Sequence, residues 1–409
     1  MIMAAPAPGF RTVLRNRQYL FFVGSSTAAV VGYSVYAISI IWLTYTVTHD
    51  YLIVGLVLFV EYATYAGTFL IGPFVDRIRN QRTIYLVCYP IQAVAAATIG
   101  IAAVRGFLSI PLLIGLIVVI SALWDLAWAA ANAAPGILLT PEEQFAASGI
   151  SGAIGGANTI AGYAAGGVLI LFVGADGGMF LYAALLGAAA ILALRLRIHP
   201  APSADAGLAE SFRTGWRALT EGPGRPLLQL ASVDALQGFF SSGPALFITL
   251  FSVTVFATSG SAYGLLFTIY VIGGVAAGLI LGQVNPRARA GAIMVGALIA
   301  SGVTFSLVTQ VPSELLVVSV LWLLIGFFVA TYSDAKFAFL RGSVDPRRLG
   351  RVISNMYLFP GISSAVGALV LGDLAGRFSL LDFGLLLGVG FLAAGILAVV
   401  LPGVKGLRF

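Results

Sequence analysis

What most constrains this chain is a succession of apolar runs, each about 20 residues long and separated by short polar connections. A helix rising ~1.5 Å per residue needs about 20 such residues to cross the ~30 Å hydrocarbon core of a bilayer. Lipid offers no partner to backbone N–H and C=O groups, so a chain of this kind must satisfy them inside helices. Measured with that ruler, twelve spans fall at Leu20 to Tyr45, Leu52 to Val75, Thr83 to Val104, Leu108 to Leu139, Gly149 to Val173, Gly178 to Leu196, Leu227 to Phe256, Ala262 to Val284, Gly291 to Val311, Leu315 to Leu340, Val352 to Ala375 and Phe383 to Leu401. The expected fold is all-α and integral to the membrane. A soluble domain carries charge on about a quarter of its residues; here 9% of 409 residues are charged and 59% are hydrophobic. The longest polar stretch, Ile198 to Arg225, is too short to hold a separate domain.

The net charge of +6 would suggest a nucleic-acid partner in a soluble protein, but the basic residues sort by side of the membrane. With twelve spans and both termini cytoplasmic, the cytoplasmic segments hold 19 of the 22 Lys and Arg; Arg105, Arg377 and Lys336 are the remainder. This asymmetry predicts a multi-pass protein of the cell inner (plasma) membrane, with lipid as its surroundings and no nucleic acid as partner. The first apolar run lacks the short core and small-residue cleavage site of a secretory signal and is expected to be retained. The single cysteine, Cys88, excludes a disulfide framework and a Cys-based metal site.

The polar stretch divides the spans six and six, which predicts an N-terminal bundle over 1–198, a cytoplasmic linker over 199–225 and a C-terminal bundle over 226–409. Within the linker, Phe212, Trp216 and Leu219 are spaced for one face of an interfacial amphipathic helix. Sliding the second half on the first by 205 positions pairs Pro141 with Pro346, Gly156 with Gly361, Gly162 with Gly367 and Gly167 with Gly372. Two pseudo-symmetric six-helix bundles inserted the same way up are a transporter architecture, with the site at mid-depth.

The loop Gly72-Pro-Phe-Val-Asp-Arg resembles the signature Gly-x-x-x-Asp-Arg-x-Gly-Arg-Arg of the major facilitator superfamily, between its second and third spans. Arg79 stands for the second glycine, and a further basic residue comes at Arg82. That spacing, with Asn16-Arg17-Gln-Tyr-Leu before span one, Pro141-Glu-Glu after span four and Gly350-Arg351-Val-Ile-Ser before span eleven, is similar to the branch of macrolide and siderophore exporters. The resemblance implies a conformational gate at Gly72, Asp76, Arg77 and Arg82, in which Asp76 and the arginines latch in one access state only; Asp334 is a candidate for the same gate. A second family pattern, Gly-(x)8-Gly-(x)3-Gly-Pro-x-x-Gly-Gly in span five, is met at Gly149, Gly162, Gly166 and Gly167, with Asn158 and Tyr163 replacing a glycine and the proline. It implies efflux, although close helix packing accounts for the glycines equally well.

An ionisable residue at the centre of a membrane helix costs at least ~2.5–3.5 kcal/mol on insertion scales, so each one is a functional candidate. Glu61 lies about ten residues, or ~15 Å of rise, into span two. A carboxyl group that meets water from either side in turn can load and release a proton, which is how a proton-coupled carrier works. Asp125 has Trp128, Ala129 and Asn132 on its face, an acid beside aromatic and amide groups suited to a partly apolar organic molecule. Asp234 shares a helical face with Gln237 and Ser241. Asp334 and Lys336 are two residues apart and point in different directions; Lys336 reads as a snorkelling lysine and Asp373 as interfacial.

Neither an ATP-binding glycine loop nor a hydrolase motif occurs, so an enzyme is not expected, and no cofactor or resident metal is implied. The expected function is a proton-linked exporter of amphipathic organic small molecules, acting as a monomer. The alternatives are an uptake carrier or uniporter, a ferroportin-like exporter of divalent metal through Asp234, and a non-transporting sensor.

Overall fold

The structure is a computed structural model that describes residues 15–67, 81–197, 225–256, 260–281, 290–311, 314–343, 346–405 and 407. Gly72, Asp76, Arg77 and Arg79 lie outside the described residues, as do residues 198–224 with the amphipathic segment expected there.

All regular elements among the described residues are helices: α1 (Arg17–Thr48), α2 (Tyr51–Ala66), α3 (Gln81–Val104), α4 (Ile110–Leu138), α5 (Pro141–Val173), α6 (Ala175–Ala193), α7 (Arg225–Phe239), α8 (Gly243–Thr254), α9 (Gly260–Leu281), α10 (Ala290–Val308), α11 (Leu315–Ser343), α12 (Pro346–Arg377), α13 (Leu380–Val400) and the single turn α14 (Pro402–Lys405). Among the described residues, ten stretches are long and apolar enough to cross a membrane, with α7 and α8 taken together, while Tyr51–Ala66 and Ala157–Ile170 are apolar but shorter. The chain is a multi-pass membrane protein.

Local chemistry explains where helices begin. The Asp50 carboxylate accepts the Leu52 N–H at 2.8 Å and opens α2. Thr140 and Glu143 form a reciprocal capping box at the start of α5, where Pro141 sits at a position whose N–H needs no intrahelical partner. Between α5 and α6 the chain turns in a single residue, Gly174, whose φ of 85° suits glycine.

The span expected over Leu227 to Phe256 is not one helix. It breaks at Phe240–Ser242, where Phe240, Ser241 and Gly243 donate to carbonyls three residues back instead of four. Pro244 is the cause: it has no N–H to give to Phe240, and its ring crowds that carbonyl. Glycines at 238 and 243 weaken the helix on either side.

The 205-residue repeat reappears in the helix bounds. Helix α4 starts and ends 205 positions before α11, Pro141 opens α5 as Pro346 opens α12, and α6 starts 205 positions before α13. Close approaches repeat too. Gly162 of α5 faces Val31 and Ser34 of α1, and Gly367 of α12 faces Phe239 of α7; Ser34 and Phe239 are again 205 apart.

By contacts the chain divides into two units. In the first, α1 up to Ser39 groups with α3, α4, α6 and α5 up to Leu169. Here α3 packs against α4 and α6. The Tyr182 hydroxyl donates to Gln92 Oε1 at 2.8 Å, and Ser25 donates to the Ala189 carbonyl at 2.8 Å, so buried polar groups find partners across helices. The second unit holds α1 from Ile40, α2, Ile170–Phe172 and the helices from α7 onward. In it α9 packs on α11 through Gly273 and Gly326, α10 on α13, and α12 on both α2 and α7. Its centre is aromatic: Phe247 lies within 6.4 Å of Phe305, Trp322 and Phe383, and Phe305 stacks on Phe391 at 5.2 Å.

Candidate functional site

A buried polar cluster of the second unit joins α7 to α11. Asp234, 1% exposed, lies at the tenth position of α7, just before the break. One of its oxygens, Oδ1, accepts both the Tyr332 hydroxyl at 2.5 Å and the Lys336 ammonium at 2.9 Å. The other, Oδ2, is buried and has no hydrogen-bond partner among the described residues. Tyr332 and Lys336 are one turn apart on α11 and so present their donors on the same face. The ammonium also lies 5.6 Å from the Tyr332 ring centre and 5.5 Å from that of Phe337, within the range of cation–π attraction.

This corrects the expectation for Lys336, which does not snorkel: it is 8% exposed and salt-bridged. A desolvated ammonium ion is held by a carboxylate that α7 supplies from 102 positions away, a partner no local spacing reveals. The face expected to join Asp234 to Gln237 and Ser241 is also cut by the helix break. Ser241 falls in the turn and donates to Ser364 of α12 at 2.8 Å. Gln237 is half-buried in the last turn of α7. Below them Ser364 donates to the Gly238 carbonyl at 2.9 Å, and Ser363 donates to that of Ala235. A short polar seam therefore runs along the α7–α12 contact.

Glu61 is half-buried in α2, one residue from Tyr62. Asp334 is half-buried on α11, and its carboxylate faces Gly278 of α9. Asp373, half-buried, pairs with the exposed Arg377 one turn later at 2.7 Å, near the end of α12.

In the first unit the site residues separate by environment. Asp125 is buried, whereas Trp128, 44% exposed, and Asn132 face outward, so the three do not form the joint surface expected of them. The aromatic platform runs instead through Trp124, which the sequence reading passed over. Trp124 lies flat on Tyr33 of α1 at 3.9 Å with 6° between the planes, and Trp128 follows at 6.0 Å. The four-residue spacing of the two tryptophans was the available signal. Ser26, Ala29 and Val30 of α1, Tyr89 of α3, and Trp124, Ala127, Trp128 and Ala131 of α4 line an open recess beside this stack. Asn158 donates to the Thr27 hydroxyl at 3.0 Å, which ties α5 to α1; Tyr163 is half-buried on the same helix.

Of the expected gate residues, Arg82 is described at the start of α3. It donates to the carbonyl of Leu194 at 2.8 Å, where a cation suits the free carbonyls at the end of α6.

No family model and no curated protein sequence matches the chain. Solved structures do. A nucleoside transporter, NupG, superposes with a TM-score of 0.76 at 14% identity, covering 93% of this chain and 98% of its own. A POT family transporter in complex with a thioalcohol-conjugated peptide gives 0.72 at 13% identity over 93% and 94% of the two chains. A POT family transporter in complex with 5-aminolevulinic acid gives 0.73 at 13% identity over 94% and 96%. These neighbours are transporters of the major facilitator type. At such low identity the likeness is one of fold, and it extends over nearly the whole chain.

Proposed function

We propose that the protein is a secondary transporter that moves an amphipathic organic small molecule by alternating access, in exchange for protons and in the outward direction. Its helices would form two pseudo-symmetric six-helix bundles, 1–198 and 226–409, inserted twelve times through the cell inner membrane with both termini cytoplasmic. The observation that carries this reading is the Asp234–Tyr332–Lys336 cluster. Ionised groups held deep in so apolar a chain are costly, and they occur in membrane proteins where charge or solute passes. Support for an organic cargo comes from the Tyr33–Trp124–Trp128 stack and its recess, which offer flat apolar area. Asp234, on which export of a divalent metal would depend, is already occupied by an ammonium and a phenol. Efflux follows from the resemblance of the loop and span-five patterns to exporters; uptake of a small polar solute is the second reading, favoured by the nucleoside and peptide transporters among the structural neighbours.

Purified protein in proteoliposomes under an imposed and collapsible pH gradient tests this. Solute should move against its own gradient while the pH step lasts, and Glu61→Gln should abolish the dependence on the step. Flux that ignores the pH gradient overturns proton coupling, and no flux with any amphipathic solute overturns the transporter reading.

A further inference from the structure

The repeat supplies a comparison that bears on why the charged cluster exists. Moved back by 205 positions, Asp234, Tyr332 and Lys336 fall on Ala29, Ala127 and Ala131. Those three alanines line one recess in the first unit, between α1 and α4. The register is not arbitrary, since it is the one in which helix bounds and the glycine approaches coincide. The same helix pair is therefore built once from alanines and once around an acid, a phenol and an amine. At these positions the first unit has an open recess and the second a buried charged cluster.

Two further features argue against a structural ion pair. Both donors converge on Oδ1, and Oδ2 is left buried without a partner among the described residues, whereas a carboxylate placed for stability would engage both oxygens. The chain also uses arginine 20 times and lysine only at 336 and 405. At the buried Asp234 pair it places the compact ammonium on a flexible stem, which can turn from one acceptor to another, in place of a rigid guanidinium fork. The lysine side chain is also the more open partner, 10% exposed against 1% for the aspartate, so an incoming group meets Lys336 first.

The geometry points to Lys336 as the recognition cation for a carboxylate on the transported molecule, which takes the place of the Asp234 carboxylate on the ammonium while Asp234 keeps the Tyr332 hydroxyl. The cluster is a self-occupied anion site: Asp234 stands in, at 2.9 Å, for the group the site is built to receive. A carboxylate is indicated because the resident group is one, and an amphipathic acid combines it with the apolar body assumed above. This inference rests on the transporter reading for the word cargo, but the binding site itself can be tested without transport.

The experiment follows the thermal unfolding of the purified full chain in detergent by tryptophan fluorescence, with sodium acetate and sodium 3-phenylpropionate as probes and acetamide, 3-phenylpropionamide and sodium chloride as controls. In the wild type the carboxylates compete with Asp234 and should stabilise at high concentration only. Asp234→Asn removes the competitor, and the half-effective carboxylate concentration should fall at least tenfold, with no response to amides or chloride. The triple variant D234A/Y332A/K336A recreates the composition of the first unit; it should unfold cooperatively and respond to no carboxylate. An unchanged carboxylate response in Asp234→Asn, an equal response to amides or chloride, or a triple variant that cannot fold would each overturn the inference. A carboxylate that binds in this way but is not carried into proteoliposomes would leave the site standing and defeat the transporter reading; flux with no carboxylate response would do the reverse.

Discussion

Replacing a glycine with alanine at two kinds of position should change stability in opposite directions. Gly55 of α2 meets α12 backbone to backbone. A Cβ built there would lie 2.5 Å from the Ala368 carbonyl oxygen and 3.0 Å from the Gly372 Cα, where ordinary contact begins at 3.4 Å. The shortfall is about 0.9 Å, and neither neighbour can swing aside because both are helix backbone. The helices must separate, against an overpacking cost of ~1–3 kcal/mol. The gain from replacing a mid-helix glycine is ~0.5–1 kcal/mol, so Gly55→Ala should destabilise by up to ~2.5 kcal/mol. Gly115 of α4 and Gly296 of α10 have nothing within 4 Å of a built Cβ, and there the same change should stabilise by up to ~1 kcal/mol. SDS titration in mixed micelles, read by tryptophan fluorescence, measures all three. If Gly55→Ala proves as stable as Gly296→Ala, the claim that α2 and α12 touch through their backbones is wrong.

Lys336→Met strands the buried Asp234 carboxylate and should cost ~3–5 kcal/mol in the same titration, whereas the double variant D234L/K336M should return to within about 1 kcal/mol of wild type or exceed it. Thr140→Ala removes the cap of α5 and should cost ~0.5–2 kcal/mol, with Thr140→Asp close to neutral. Trp124→Ala removes the ring stacked on Tyr33; if the platform holds an aromatic solute, half-saturation in a flux or binding assay should rise about tenfold, and an unchanged value would remove it from the site.

The all-helical, multi-pass character was legible because about 20 consecutive apolar residues have few folded solutions, and the 205-residue register of the helix bounds because prolines and glycines recur in it. Hydropathy hid the break after Phe239, since the apolar residues of Pro226–Thr254 outweigh Ser241 and Ser242 when averaged over a span; Gly243-Pro244 was the better guide. Lys336 was misread for a different reason. From its own helix it had only Asp334 to answer to, and its true partner sits on α7, so the pairing is a property of packing. Trp124 does not stand out in the sequence because it precedes Asp125 and lies off that residue's helical face, while the stack occupies the neighbouring one. Asn158, read as a candidate cavity residue, spends its amide on Thr27, a partner 131 positions away that only the fold supplies.

The turn at Phe240–Ser242 resets the phase of everything beyond it. A reporter thiol walked along 227–254 would trace one periodic pattern of accessibility as far as Phe239 and another, rotated, from Gly243 onward. The background for such a walk is quiet, because the chain's one native thiol, Cys88, is buried. Where the two patterns fall out of step marks the point at which this rod changes the face it presents to its neighbours.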